Sequence, residues 1–228
     1  MKSESARVVL FLGAPGSGKG TQSGWLAARL GIPTVSTGEI LRTAAKRNTA
    51  EGFRIRQLLS TGTLVDDQTV CAAVESRLRQ DMPRKGLILD GFPRTVHQAE
   101  FLDTLLDSLG LPRPVVLHLD VSTSGLLRRL TGRRQCAVCG SVYNLTSKPS
   151  LRGSRCQKDG GALVQRDDDT EGVILRRMAD FQATSAPLIA YYGPSVVVRV
   201  DGDHEPGAVA EAILHSIAPE MAYQLAVA

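Results

Sequence analysis

The sequence predicts an α/β domain with a central five-stranded parallel sheet and helices on both faces. Three observations point there. Short aliphatic runs alternate with helical stretches along the 228 residues, a glycine-rich turn follows the first run, and only segment 132–169 breaks the alternation. Residues 8–12 read as a buried strand, then the turn, then a helix that Gly31 ends. A short strand at Thr34-Val35 follows. Ser36 with Glu39 forms a capping-box pattern that opens a helix near 40–47. A second short helix spans about 52–60, and Asp66 or Asp67 caps a third that runs to Gln80. Next come strand 87–90, helix 96–109, strand 115–119 and helix 122–131. One long helix, 170–192, stops at Gly193-Pro194. Strand 196–200 and helix 205–217 complete the pattern, leaving an apolar tail at 218–228.

Composition sets the outer limits. Hydrophobic residues make up 43% and charged residues 22%, as in an ordinary globular chain. Aromatic residues are only 4%, so aliphatic side chains build the core. The net charge of +4 hides 21 arginines against six lysines. Arginine's planar fork suits bidentate phosphate contacts, although a biased base composition produces the same excess. The first apolar run is too short for a signal-peptide core or a bilayer span, so a cytoplasmic location and no membrane contact are expected.

The densest motif is Gly13-Ala14-Pro15-Gly16-Ser17-Gly18-Lys19-Gly20-Thr21, between a strand and a helix. Glycines let successive N–H groups converge on a phosphate chain, and the helix N-terminus adds its positive end. Lys19 supplies a mobile cation. A P-loop normally has Ser or Thr directly after the lysine, whereas here Gly20 intervenes before Thr21. A chance glycine-rich turn is disfavoured by the strand–loop–helix context. Asp90 ends an apolar strand at the carboxyl edge of the sheet, where a carboxylate holds magnesium directly or through water. Gly91-Phe92-Pro93-Arg94 continues from it and turns Arg94 toward the same crevice.

These two motifs, with Ser36-Thr37-Gly38-Glu39, Gly132-Arg133-Arg134 and Arg166-Asp167-Asp168-Asp169, occur in an order that resembles bacterial adenylate kinases. The resemblance covers residues 8–217. It implies the P-loop nucleoside monophosphate kinase fold and reversible phosphoryl transfer, ATP + AMP = 2 ADP. By that resemblance Lys19, Arg42, Arg94, Arg133, Arg166 and Arg177 are the catalytic cations. ATP would lie along Gly16, Ser17, Gly18, Lys19, Gly20 and Thr21, with Arg129, Arg133, Val142, Tyr143 and His204 closing over it. AMP would contact Thr37, Arg42, Thr63, Leu64, Val65, Gly91, Phe92, Pro93, Arg94, Gln98, Arg166 and Arg177. Asp90 would hold magnesium through water. Glu39 stands where the family often has Asp, a change that is silent if Glu39 serves the helix cap. The implied organisation is a core (1–35, 66–131, 170–228), an AMP-binding subdomain (36–65) and a lid (132–169).

No general base is expected, because the AMP phosphate, with a second pKa near ~6, is already ionised at neutral pH. Positioning and electrostatics then carry the transfer. The insertion holds Cys136-x2-Cys139 and Cys156-x2-Asp159, paired ligands two residues apart that can enclose a tetrahedral zinc. With no open position the metal would be structural, and some bacterial adenylate kinases carry this lid pattern. Cys71 reads as a core residue, and His97, His118 and His215 receive no role.

The sequence also admits two rival readings. A kinase of other base preference, such as a GTP:AMP phosphotransferase or a pyrimidine monophosphate kinase, is disfavoured by Thr37, Gln98 and the zinc-type lid. A zinc-ribbon nucleic-acid-binding protein is disfavoured because the insertion offers one aromatic, Tyr143, and so no stacking platform. Expected partners are therefore ATP, AMP and ADP, with no nucleic acid, and the chain is expected to act as a monomer.

Overall fold

The computed structural model describes residues 6–226 apart from 82 and 84, with only the backbone described for 218–226, where most of the apolar tail falls. In chain order the elements are β1 (Arg7–Gly13), α1 (Lys19–Leu30), β2 (Thr34–Ser36), α2 (Thr37–Ala45), α3 (Ala50–Thr61), α4 (Asp67–Asp81), β3 (Gly86–Asp90) and α5 (Val96–Ser108). They continue as β4 (Val115–Asp120), α6 (Thr123–Thr131), β5 (Arg133–Cys136), β6 (Val142–Asn144), β7 (Leu163–Val164), α7 (Glu171–Tyr192), β8 (Val197–Asp201) and α8 (Pro206–Ala226). A 3-10 turn, Asp167–Asp169, precedes α7.

The main sheet has five parallel strands in the order β2-β3-β1-β4-β8, as expected. Successive side chains of a strand point to opposite faces. In β1, Val8, Leu10 and Leu12 join one core with α4 and α5 residues such as Val74, Leu78, Leu102 and Leu106. Val9 and Phe11 join the other, with Leu26 of α1 and Val209, Ile213 and Ile217 of α8. Leu10 and Phe11 are fully buried, and burying such a side chain contributes roughly 1.5–3 kcal/mol. Chain connections leave β1 and β4 in opposite directions, toward β2 and β8. That reversal opens a crevice at the carboxyl ends of the strands.

The caps correct one expectation. Ser36 precedes α2 but makes no capping bond; its Oγ lies 3.5 Å from Asp90 Oδ2 instead. Being also the end of β2, Ser36 is drawn to the neighbouring strand. Of the two candidates before α4, Asp66 makes the cap, accepting from Thr69 N at 2.9 Å, which leaves Asp67 for other partners. The insertion folds as a three-stranded antiparallel sheet, β6-β5-β7, over a very small core of Cys136, Tyr143 and Cys156. Among the described residues no helix is long and apolar enough to cross a membrane.

Candidate active site

A crevice of about 1300 Å³ opens over the carboxyl ends of the strands, with the P-loop as its floor. The loop requires glycine where the backbone turns back. At Gly13 a Cβ would come within 2.8 Å of the Leu119 carbonyl, and at Gly16, with φ +86°, within 2.8 Å of the Leu130 side chain. Gly18 starts α1 without a side-chain cap, and no acidic residue lies in the first turn. The positive end of the helix dipole therefore faces the crevice with no acidic residue of its own first turn to offset it, as an anion site needs.

Cations line this floor. Lys19 Nζ donates to the Gly13 carbonyl at 2.7 Å and to Ala14 at 3.0 Å. Burial pushes its pKa down to about 8, against the pull of Asp90 and with added pressure from Arg94, Arg177 and Arg133. Arg94 Nε donates to Gly91 O at 3.0 Å. Arg133 grips Asp169 with two donors, Nε at 2.7 Å and a terminal nitrogen, and that carboxylate is fully buried. Arg177 pairs with Asp168 at 2.8 Å and lies 3.6 Å from Asp169. Arg166 Nε donates to Gln135 Oε1 at 2.7 Å. Burial foremost, aided by neighbouring guanidinium charge, lowers the pKa values of Arg42, Arg94, Arg166 and Arg177, while nearby carboxylates such as Asp168 pull the other way. All remain protonated at neutral pH.

The residues expected on the sequence divide into a wall and its backing. Gly16 through Thr21, Asp90, Arg129, Val142, Tyr143 and His204 line the crevice on the P-loop and insertion side. Arg42, Thr63, Leu64, Val65, Gly91, Pro93 and Arg94 line the other. Thr37, Phe92 and Gln98 are buried behind that second wall. Thr37 Oγ1 donates to Gly91 O at 2.9 Å. Gln98 Oε1 accepts from Arg94 N at 2.8 Å while its Nε2 donates to Asp67 at 2.7 Å, leaving one N–H and one lone pair. Arg129 bridges the P-loop and the loop after β8, reaching Ser17 O at 3.4 Å and Gly202 O at 2.7 Å.

Sequence reasoning missed the groups that hold these residues: Asp67, Asp168, Asp169 and Gln135. Asp168 and Asp169 sit inside a motif already noticed, so charge next to Arg166 was the available signal. Nothing in the local sequence marks Gln135.

In the insertion, ligand atoms of Cys136, Cys139, Cys156 and Asp159 all lie within 4.8 Å of one another, an arrangement that could hold a metal ion. Cys139 Sγ and Cys156 Sγ are 3.7 Å apart. Tetrahedral metal–sulfur bonds of about 2.3 Å put two sulfurs about 3.8 Å apart, so the spacing fits. Hydrogen bonds from the thiols, Cys139 foremost, and from Gly161 N–H hold the Asp159 carboxyl well below the usual range. At Asp90 the nearby donors are oxygens, its own carboxylate and the Ser36 hydroxyl, which suit a hard cation such as magnesium.

Comparison with known proteins gives the same reading. The family model described as adenylate kinase matches residues 11–196. The chain is 48% identical over 195 residues to the adenylate kinase of Geobacter sp. (strain M21), covering 85% of this chain and 91% of that one. It is 45% identical over 191 residues to that of Thermodesulfovibrio yellowstonii, covering 84% and 89%. For Nitrosococcus oceani the figures are 44% over 206 residues, covering 90% and 95%. A P-loop facing a cluster of arginines, a matching family model and relatives that align over most of their length lead to one conclusion: the chain belongs to the adenylate kinase family of phosphotransferases.

Proposed function

We propose that this chain carries out the adenylate kinase reaction, ATP + AMP = 2 ADP, with a division of labour set by the two walls of the crevice. ATP phosphates occupy the P-loop and the start of α1, with Arg129 and the segment at Val142, Tyr143 and His204 around its base. The AMP phosphate meets Arg42 and Arg94, and Thr63, Leu64, Val65 and Gln98 flank its base. An AMP phosphate oxygen attacks the γ-phosphorus as the bond to the β–γ bridging oxygen breaks. The phosphate is already ionised, so no proton needs to be removed by the protein.

One observation carries this reading. Lys19, Arg42, Arg94, Arg133, Arg166 and Arg177 line a single crevice. Two polyanions repel as they meet, and fixed cations offset that repulsion most where charge spreads over the transferring group. Residues 36–65 and 132–169 act as covers that exclude water from the γ-phosphate, so hydrolysis of ATP without AMP is negligible. Magnesium held through water at Asp90 supplies further charge neutralisation when bound with ATP. A zinc ion on Cys136, Cys139, Cys156 and Asp159 has four protein ligands, which suits a structural role.

A coupled assay with ATP or GTP against each nucleoside monophosphate tests the substrate pair, and ATP with AMP should dominate. In the same assay Lys19→Met should lose on the order of 100-fold or more in kcat while keeping its fold. Near-normal turnover of the folded variant would refute the role given to Lys19.

A further inference from the structure

Each of five crevice cations is steered by a neighbour that the fold supplies. Backbone carbonyls hold Lys19 and Arg94, the buried Asp169 carboxylate holds Arg133, and the half-buried Asp168 carboxylate holds Arg177. Arg166 differs, because its side-chain hydrogen bond goes to a neutral side chain, Gln135. We propose that Gln135 is a positioning residue that fixes the aim of the Arg166 guanidinium and ties it to the cysteine turn 136–140.

The amide works in both directions. Its Oε1 accepts from Arg166 Nε at 2.7 Å, and its Nε2 donates to the Gly140 carbonyl at 3.0 Å. Gly140 N–H in turn donates to Cys136 O at 3.1 Å, closing the turn that carries two of the clustered cysteines. The backbone of Gln135 cannot drift, since β5 pairs it with Val142 on one side and Val164 on the other. Arg166 is thereby anchored to the same turn as the thiol cluster through Gln135, 31 residues away from it in sequence.

Chemistry explains why an amide suits this place. A guanidinium has five N–H donors, and committing Nε leaves the two terminal nitrogens free as a fork for phosphate oxygens. A carboxylate at position 135 would hold Nε equally well but would neutralise part of the charge that the phosphates need. Arg166 is also pressed by its surroundings. Burial foremost, then Arg133 and Arg42, oppose its charge, while Asp168 and Asp169 attract it. Without the Gln135 acceptor, the guanidinium is free to turn away from the cations and toward those two carboxylates, out of line with the reacting group. Gln135 thus also carries any loosening of the cysteine turn to a residue that contacts phosphate.

This inference rests on the phosphate-binding role proposed for Arg166, and a double-mutant cycle separates the two. Gln135→Met keeps the length of the side chain and removes both hydrogen bonds; position 135 is half-buried, so methionine fits there. In the full chain with its metal content measured, kcat should fall about tenfold, the scale of a modest misplacement of a catalytic group. Affinity for a bisubstrate dinucleotide, read by calorimetry, should fall in parallel, with melting and metal content unchanged. Arg166→Lys keeps the charge but has no Nε. On that background Gln135→Met should change kcat and affinity by less than about twofold, because the interaction is already gone. Equal losses on both backgrounds, or a silent Gln135→Met in the wild type, would overturn the proposal. An Arg166→Lys enzyme with full activity would instead remove the role of the arginine, and that of Gln135 with it.

Discussion

Asp169→Asn tests the electrostatic architecture most directly. The substitution keeps the shape of a side chain that is 0% exposed and deletes one charge. In the wild type the carboxylate receives two donors from Arg133 and lies 3.6 Å from Arg177. Asparagine keeps one acceptor oxygen and turns an NH2 group toward a guanidinium, donor against donor. Removing one partner of a buried ion pair costs about 3–5 kcal/mol. Arg177 keeps Asp168, and the two arginines are 16% and 18% exposed, so the lower end applies. About 3 kcal/mol at roughly 2–4 °C per kcal/mol for a chain of this length gives a melting drop of roughly 6–12 °C. Thermal melts of both proteins, with and without a saturating bisubstrate dinucleotide, read this out. Bound phosphates supply negative charge that the variant lacks, so the gap should narrow with ligand. A variant melting within about 2 °C of the wild type, or a gap that widens with ligand, would refute the reasoning.

Two further outcomes are expected. Lys19 has a folded pKa of about 8 against an ordinary 10.5, so between those values the unfolded chain holds a proton that the folded chain has released. Stability tied to Lys19 therefore rises with pH across that window, and below pH 8 the cost of burying the ammonium is fully present. ATP phosphates favour the ammonium form, so binding at about pH 9 should take up protons, measured by calorimetry in buffers of different ionisation heat and lost in Lys19→Met. Purified protein should carry about one zinc per chain, and Cys156→Ser should lose it and melt earlier while keeping measurable activity at low temperature. Metal analysis showing less than about half a zinc, with melting unchanged by chelation, would count against the site.

Elements with strong periodicity were legible in the sequence, and contacts across the fold were not. β1, β3 and β4 announced themselves because both faces are buried and the strands read as nearly continuous apolar runs, broken in β4 only by His118. β7 could not, since two residues are too few to show a period of two. Ser36 and Glu39 carried a valid local capping signal, which lost to the pull of Asp90 on the neighbouring strand. The P-loop is legible in the local sequence, and six of the cations that line the crevice are legible mostly through resemblance. Their partners were not, because Arg133 finds Asp169 across 36 residues and Arg166 finds Gln135 across 31. Spacing along a chain says nothing about such pairs. Only the closing of β5 against β6 and β7, and the docking of the 3-10 turn, brings them together.

The clustered positive charge under the crevice also bears on how long the molecule survives. Without nucleotide, several buried or half-buried cations face one another with too few counter-charges. Any ligand that binds only the folded form stabilises it by an amount that grows with its concentration. Segments that open rarely when phosphates occupy the crevice open more often when it is empty, and opened segments are what proteases cut. Protein turnover would then follow nucleotide supply: scarce substrate shortens the lifetime of the chain, and abundant substrate protects it.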